Sequence, residues 1–567
     1  MTKDKNLKIQ LSQINTRVGD LDGNCNKILH EFKRAEEGGC DLVMFCEMSL
    51  TGYPCGDLWK KKDFIKQVTK KISEICEITK KSSIASGCAI LLGAPTVELS
   101  RDQKETLHNS AILIDGGEVK KIIHKKSLPN YGVFDEKRYF EPASTLSIVE
   151  FRGLELAILV CEDLWDIKNT FLLQERIFDA TIVINSSPYS TKKHEYRYKA
   201  ASQLVSRVGK PLLYLNQVGA EDSLVFDGSS FVMDGNGKIV TQMKEFEEDS
   251  LIVELKKEKE VICSKNTVIP LDTLDRWHER DYLACTLGLR DYMGKNSFKK
   301  VLLGMSGGVD SAIVAAIAVD ALGSENVSLY ALPSRYNSEE SMTDAINCAK
   351  SLGVKFEAIA IDTIFESMLF TLRNHLKSDS STAEENLQSR IRGNILMALS
   401  NASGALLLTT GNKSELAVGY ATIYGDMCGS FNPIKDLYKT KVYELTKWRN
   451  ENVPKISLST ASNPIPQNIL TKEPSAELRP NQKDSDSLPE YEILDRILFG
   501  LIEDKKSIDE IALDTGFAKD LVKRISKLFY ASEYKRKQSP LGPKISDMSF
   551  DEERRYPITN RYENVTN

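Results

Sequence analysis

The chain has 567 residues, 41% hydrophobic and 27% charged, which excludes a disordered or collagen-like polymer and leaves room for two large domains or four small ones. Its 80 acidic and 75 basic residues give a net charge of −5, against a general polyanion binder, so no nucleic-acid partner is expected. No apolar run approaches the ~20 residues that span a bilayer, and residues 1–5 carry no apolar leader core, so the expected location is cytoplasmic with no membrane partner.

In chain order, the first elements alternate between short apolar runs and amphipathic stretches. Residues 41–45, 89–93, 156–160, 181–184 and 212–215 read as buried strands, and 24–38 and 61–81 as helices, an α/β pattern. The charged run 256–260, then Thr267 to Pro270 and a new helical pattern from Leu271, marks a boundary, and domains are expected at 1–262 and 263–567. Beyond it the alternation is cleaner: strand 300–303, helix 311–322, strand 327–332, helix 338–352, then strands 356–361 and 405–408. This is the pattern of a doubly wound parallel sheet, with ligands expected at the carboxyl ends of its strands. The polar, proline-rich stretch 459–489 reads as a long loop, either a functional lid or a disordered segment. The 11 cysteines form no CxxC pair and the six histidines no HExxH, so reduced thiols and no zinc cluster are expected.

Gly304-Met305-Ser306-Gly307-Gly308-Val309-Asp310-Ser311 joins a strand to a helix. Glycines let a backbone approach a ligand closely, and free N–H groups at a helix start suit a phosphate. No Gly-Lys followed by Ser or Thr is present, so this is not a Walker A loop. Two other readings stay open: Gly304, Ser306 and Gly308 fit GxSxG, which would make Ser306 a hydrolase nucleophile, and a tight turn without ligand is the plain alternative. The run SGGVDS resembles the pyrophosphate loop of the N-type ATP pyrophosphatases. Asn386 to Arg392, Thr409 to Glu415, Tyr424 to Asp426, Asp436 to Lys439 and Glu473 to Leu478 narrow the resemblance to the NAD synthetase family across nearly all of 275–567. That resemblance implies an ATP site at 304–311 and Thr410, and a deamido-NAD site at Asn386, Glu415 and Lys535, with neighbouring Lys and Arg residues as alternatives to Lys535. It also implies a phosphate-facing Lys439, and Mg²⁺ near Asp310, Glu415 and Asp426. Hard carboxylate oxygens and a lysine facing phosphates agree with that chemistry.

In the first half, Phe45-Cys46-Glu47 and Leu159-Val160-Cys161 each end an apolar run, and His124-Lys125-Lys126-Ser127-Leu128 lies between them. Together they resemble the Glu-Lys-Cys triad of the nitrilase (carbon-nitrogen hydrolase) superfamily over roughly 5–260. The fold implied is a nitrilase-like α-β-β-α sandwich followed by a Rossmann-like ATP pyrophosphatase domain. The roles implied are Cys161 as nucleophile on glutamine, Glu47 as base and Lys125 as stabiliser of the tetrahedral intermediate. The family pattern Lys-x-x-Leu, closed by Leu128, selects Lys125 over Lys126. Ser127 departs from the pattern, since many relatives carry His there. Tyr131, Ser187 and Lys193 are the implied glutamine contacts, with Ser186 and Lys192 beside the last two. The combination implies glutamine-dependent NAD synthesis with ATP as cosubstrate, by a homo-oligomer. Rivals are another ATP pyrophosphatase amidotransferase with a different acceptor, and a nucleotide-sensing protein without turnover.

Overall fold

The computed structural model describes residues 6–81, 87–99, 104–256, 261–264, 276–376, 381–560 and 562. The chain divides into two compact units, Met1–Asp275 and Arg276–Asn567. The boundary expected after residue 262 falls inside the strand Val261–Cys263, which pairs with Asp249–Leu255 and so belongs to the first unit's sheet. The charged run and the helix start at Leu271 lie largely outside the described residues, and the next described helix is Trp277–Lys295.

The first unit is built on two sheets. One runs, in spatial order, Val261–Cys263, Asp249–Leu255, Leu7–Gln13, Leu42–Met44, Ala89–Leu99, Glu105–Asp115 and Glu118–His124. The other runs Ile239–Gln242, Phe231–Met233, Leu212–Asn216, Ala180–Asn185, Leu154–Val160 and Ser147–Phe151. Strand side chains alternate faces, which explains why both faces of the central strands are apolar. Leu156, Ile158 and Val160 share an interior with Ile182, Ile184, Leu213 and Leu215, and with Leu7, Ile9 and Leu11 of the facing sheet. Ala157 and Leu159 turn outward onto Leu173 and Leu204 of the helices Ile167–Gln174 and Lys193–Val208. Val43, Ile90 and Leu92 likewise meet Ile28, Phe32, Val68 and Ile75 of the helices Leu21–Glu37 and Lys62–Lys80. The layers are helix, sheet, sheet, helix, and each fully buried Leu or Ile contributes about 1.5–3 kcal/mol. The first helix starts at Leu21, earlier than its apolar pattern suggested, because the Asp20 carboxylate accepts from the Gly23 N–H and caps it.

The second unit carries a four-stranded, wholly parallel sheet in the order Lys355–Ala358, Val327–Ala331, Val301–Gly304, Leu406–Leu407. The order reverses between Val301–Gly304 and Leu406–Leu407, which puts a ligand crevice beyond their carboxyl ends. Leu302, Tyr330 and Leu407 pack on Leu396, Met397 and Leu399 of the helix Ser381–Ser403. Val301, Leu303 and Leu329 alternate to the opposite face. Three further helices, Tyr491–Ile502, Ile508–Thr515 and Lys519–Ala531, bury a separate apolar cluster with Leu416 and Val418. The stretch 459–489 is ordered: it contains the helix Gln467–Thr471 and the turn Asp484–Asp486. No helix among the described residues is long and apolar enough to cross a membrane.

Candidate active sites

In the first unit, strand ends deliver the triad residues to one buried place. Glu47 follows Leu42–Met44, Lys125 follows Glu118–His124, and Cys161 follows Leu154–Val160. Lys125 Nζ donates to Glu47 Oε1 at 2.8 Å, and both side chains are only 1% exposed. Glu47 Oε1 also accepts from Asn109 Nδ2 (2.7 Å), and Oε2 from the Ser186 N–H (2.9 Å). Cys161 takes φ +47°, an unusual conformation for a non-glycine residue, at the start of the turn Cys161–Leu164. Burial pushes its thiol well above the ordinary range; Glu47 pushes the same way, and Lys125 pulls it down. The resting group is therefore the neutral thiol, beside a carboxylate with three donors on it.

Lys125 has a second carboxylate partner that sequence reading passed over. Nζ also donates to Glu136 Oε1 at 2.8 Å, which accepts from the Tyr53 hydroxyl at 3.0 Å. Burial disfavours the Lys125 ammonium, but Glu136 and Glu47 outweigh it and hold its pKa well above the usual value. Burial drives Glu136 up to about 7, with Lys125 opposing and Glu47 adding to the rise. Glu136 therefore keeps its proton above pH 4.5, where the unfolded chain has lost it, so its contribution to stability falls as pH rises from there through about 7. The same titration reaches catalysis, because protonating Glu136 leaves Glu47 as the only anion on Lys125. We predict an acid limb near pH 7 in the kcat/KM profile for glutamine hydrolysis. In Glu136→Gln that limb moves and kcat falls; an unmoved limb assigns the titration to another group.

Two devices fix this geometry. The buried Asp163 carboxylate accepts the N–H groups of Lys126 (3.0 Å), Ser127 (2.7 Å) and Val160 (3.1 Å), tying the lysine loop to the cysteine strand. Burial raises its pKa to about 6, against the pull of those backbone donors. Ser127 donates to Asp166 Oδ2 and accepts from Asn169 Nδ2, each at 3.0 Å. Gly93 is the second device. A Cβ there would sit 2.3 Å from Met48 N and 2.5 Å from the Cys46 carbonyl oxygen, so the turn bearing Glu47 crosses bare backbone. Gly93→Ala should cost about 1–3 kcal/mol of stability and lower glutamine hydrolysis by moving Glu47, with ammonium-dependent synthesis preserved. Thermal melts and both donor assays check this; unchanged glutamine hydrolysis would mean that the turn adapts.

Of the three expected glutamine contacts, Tyr131 is exposed and donates to the Glu162 carboxylate at 2.9 Å. Lys193 Nζ lies over the Trp165 ring, 4.3 Å from its centroid, and its charge acts on Glu162. Ser187 is buried and engaged elsewhere: Oγ accepts from Arg197 Nε at 3.3 Å and its N–H donates to Asn216 Oδ1 at 2.9 Å. Its neighbour Ser186 is the serine against Glu47, donating through N–H to Oε2 and through Oγ to the Glu47 carbonyl oxygen at 2.8 Å.

In the second unit, the loop 304–311, Thr410, Asn386, Glu415, Asp426, Lys439 and Lys535 all line one cavity of about 700 Å³. Gly307 has φ +81°, and a Cβ there would lie 2.2 Å from the Ser341 carbonyl oxygen, so only glycine fits. Ser306 Oγ lies 3.1 Å from Ser311 Oγ and accepts from the Gly308 N–H at 3.2 Å. These partners, rather than a histidine, leave the hydrolase reading of Ser306 without a base. Lys439 Nζ donates to Asp310 Oδ2 and, at 3.0 Å, to Glu415 Oε1, while Asn412 Nδ2 holds Asp310 Oδ1 at 3.0 Å. Burial opposes the Lys439 charge, yet Asp310 and Glu415 raise its pKa. Burial lifts Glu415 to about 7, with Lys439 opposing.

The three expected Mg²⁺ ligands do not form a closed cage. Lys439 bridges Asp310 and Glu415, whereas Asp426 accepts from the Thr422 N–H at 2.6 Å on another part of the cavity wall. The protein around Asp426 raises its pKa, although the side chain is open to the cavity. Such carboxylates fit Mg²⁺ arriving on phosphates, which needs one or two protein oxygens. Asn386 Oδ1 accepts from Thr422 Oγ1 at 2.8 Å, and Lys535 Nζ donates to the Gly419 and Ala421 carbonyls at 2.7 Å each. Glu477, from the proline-rich stretch, reaches Ser341 Oγ (2.7 Å), Ser338 Oγ (2.9 Å) and Asn337 Nδ2 (2.9 Å), beside the glycine loop.

Comparison with known proteins agrees with both halves. Residues 8–260 match the carbon-nitrogen hydrolase family and residues 282–539 match NAD synthase. The glutamine-dependent NAD(+) synthetase of Acinetobacter baylyi is 38% identical over 558 residues, covering 98% of this chain and 99% of the relative. That of Rhodobacter capsulatus is 41% identical over 559 residues, covering 98% of each chain. The structure of the Acinetobacter baumannii glutamine-dependent NAD+ synthetase in complex with ADP has a TM-score of 0.75 at 37% identity, covering 98% of this chain and 99% of that one. That of the Cytophaga hutchinsonii enzyme has a TM-score of 0.80 at 21% identity, covers 98% of each chain and shares the fold. With a buried Glu–Lys pair and a cysteine at strand ends of one unit, a glycine loop beside a carboxylate–lysine cluster in the other, and such relatives along nearly its whole length, the chain belongs to the glutamine-dependent NAD(+) synthetase family.

Proposed function

We propose that glutamine is hydrolysed in the unit ending at Asp275 and that NAD is formed in the unit from Arg276. Cys161 attacks the side-chain amide carbon of glutamine as its proton passes to Glu47. Glu47 passes that proton to the amide nitrogen, the C–N bond breaks, ammonia leaves, and a glutamyl thioester remains. Glu47 then takes a proton from water as the water oxygen attacks the thioester carbon; the C–S bond breaks, glutamate leaves, and Glu47 returns the proton to the Cys161 sulfur. Lys125, held between Glu47 and Glu136, faces the oxyanion of both tetrahedral intermediates. Tyr131, Ser187 and Lys193 serve the glutamine, while Ser186, buried against Glu47 and Gln217, holds the base in place.

In the second unit the nicotinate carboxylate of deamido-NAD attacks the α-phosphorus of ATP, and pyrophosphate leaves. Ammonia then displaces AMP from the adenylate to give NAD. The N–H groups of the glycine loop and the hydroxyls of Ser306, Ser311 and Thr410 hold ATP phosphates, while Asn386, Glu415 and Lys535 hold deamido-NAD. Asp310, Glu415 and Asp426 would hold Mg²⁺, which neutralises phosphate charge when bound, and Lys439 offsets the charge that builds at the reacting phosphorus. Ammonia is mostly protonated at neutral pH and ammonium is not a nucleophile, so delivery of the neutral form gives a chemical reason to join both activities in one chain. A homo-oligomer in the cytoplasm belongs to the same proposal, by family resemblance.

The observation that carries this division of labour is the pair of buried charge clusters, Glu47–Lys125–Glu136 beside Cys161 and Asp310–Lys439–Glu415 below the glycine loop. A glutamine-like chloroketone tests it. Peptide mapping should find Cys161 alkylated, with glutamine-dependent synthesis lost and ammonium-dependent synthesis kept. Alkylation of a different cysteine with the same loss would move the nucleophile elsewhere.

A further inference from the structure

In the first unit, three donor side chains converge on one face of the seven-stranded sheet. Glu98 lies on Ala89–Leu99, His108 on Glu105–Asp115, and His124 at the end of Glu118–His124. The register sets Thr96 opposite His108, Thr106 opposite Glu98, and Ser110 opposite His124, so the three share a face. The sequence contains no short-spaced ligand pair; the sheet makes one from residues far apart in the chain.

The donor atoms lie close to one another. His124 Nε2 is 2.8 Å from Glu98 Oε1, His108 Nε2 is 4.0 Å from Glu98 Oε2, and the three donor atoms lie within 4.8 Å of each other. The two imidazoles stack with centroids 4.2 Å apart. A tetrahedral Zn²⁺ ion with N and O donors at about 2.0–2.2 Å keeps those donors about 3.3–3.6 Å apart, so on binding the exposed Glu98 side chain shifts away from His124 and towards His108. The far ring nitrogens are also engaged. His108 Nδ1 lies 2.8 Å from the Glu141 carbonyl oxygen, which can only accept, so Nδ1 carries the proton and Nε2 the lone pair. His124 Nδ1 lies 2.8 Å from Ser110 Oγ. Outer partners of this kind orient histidine ligands in metal sites. Thr106 Oγ1, 3.1 Å from His108 Nε2, needs to rotate aside.

We propose that Glu98, His108 and His124 form a two-histidine, one-carboxylate site for a first-row divalent cation, with Zn²⁺ the best match to the donor set. The remaining coordination positions face solvent on the Glu98 side. Asn109 and Lys125, each one residue beyond a histidine of the set, reach Glu47. A bound cation would clamp the strands that carry these two glutaminase residues, and it should raise the melting temperature.

The test uses the full-length protein, stripped with chelator and held in excess Mg²⁺, with Co²⁺ as the probe. A single equivalent should give visible ligand-field bands without a thiolate charge-transfer band, and Zn²⁺ should displace it. The double variant Glu98→Gln/His124→Gln should lose the bands and weaken binding by more than the roughly 10–100-fold typical of losing an outer partner. It should keep the wild-type circular dichroism spectrum and a cooperative melt, which report an intact fold. Glu98→Gln alone, on an exposed side chain, should give a smaller loss of the same kind. Failure to take up stoichiometric Co²⁺, a thiolate band, or an unchanged spectrum in the folded double variant would each overturn the site.

Discussion

Cys161→Ala should lower glutamine-dependent NAD formation by at least about 10⁴-fold, the scale of removing a covalent nucleophile from its triad, and leave ammonium-dependent formation near the wild-type rate. The asymmetry follows from the structure. Cys161 packs among Val160, Ile184 and Leu215 in the first unit's interior, and replacing it by alanine removes only the sulfur and no ion-pair partner. Glu47, Lys125 and Glu136 keep one another's hydrogen bonds, so the variant should fold and still form its glutamine site. Parallel initial rates with the two donors, on one preparation, check this. Loss of both activities in a folded protein would show that the thiol serves the synthetase reaction too, against the proposed division.

Asp310→Asn should have the complementary effect: NAD formation from either donor falls by roughly 10²–10³-fold, the range for removing one electrostatic stabiliser, while glutamine is still hydrolysed. Asparagine is close in shape and keeps an oxygen for Lys439 but removes the charge. Lys439 then has Glu415 as its one remaining anionic partner of the two, and one of the three carboxylates expected to meet Mg²⁺ is lost. Loss of glutamine hydrolysis as well, in a folded variant, would reveal a coupling of the two chemistries deeper than a supply of ammonia. Retained NAD formation would remove Asp310 from the phosphate site.

What could be read from the sequence was mostly what sits at strand ends. Glu47 and Cys161 each follow an apolar run, and the glycine loop follows another, so the change from apolar to polar residues marked all three. Lys125 needed the family pattern to separate it from Lys126; the structure buries Lys125 and turns the Lys126 N–H to Asp163. Asn109 and Glu136 were not legible as parts of the glutaminase cluster, and Ser186 was named only as the neighbour of Ser187. Asn109 and Ser186 meet Glu47 only through sheet packing, across 62 and 139 residues of chain, and Glu136 lies in a loop with no periodicity. The same limit left Ser186 standing beside Ser187, since which of two adjacent serines faces Glu47 depends on the turn after Ala180–Asn185. The boundary placed at residue 262 missed the short strand Val261–Cys263, because three residues carry too little pattern to separate a strand from a linker. The stretch 459–489 looked loop-like because its prolines and polar residues interrupt every period, yet contacts such as Glu477 with Ser341 hold it in place.

The most direct test of the two-site account supplies deamido-NAD, ATP and Mg²⁺ to the purified protein with either glutamine or ammonium, and quantifies NAD, AMP and glutamate. The account predicts equal amounts of NAD and AMP with both donors, and glutamate only when glutamine is supplied. Glutamine hydrolysis with no NAD from either donor would contradict it, leaving the amidase chemistry in place and requiring a different acceptor.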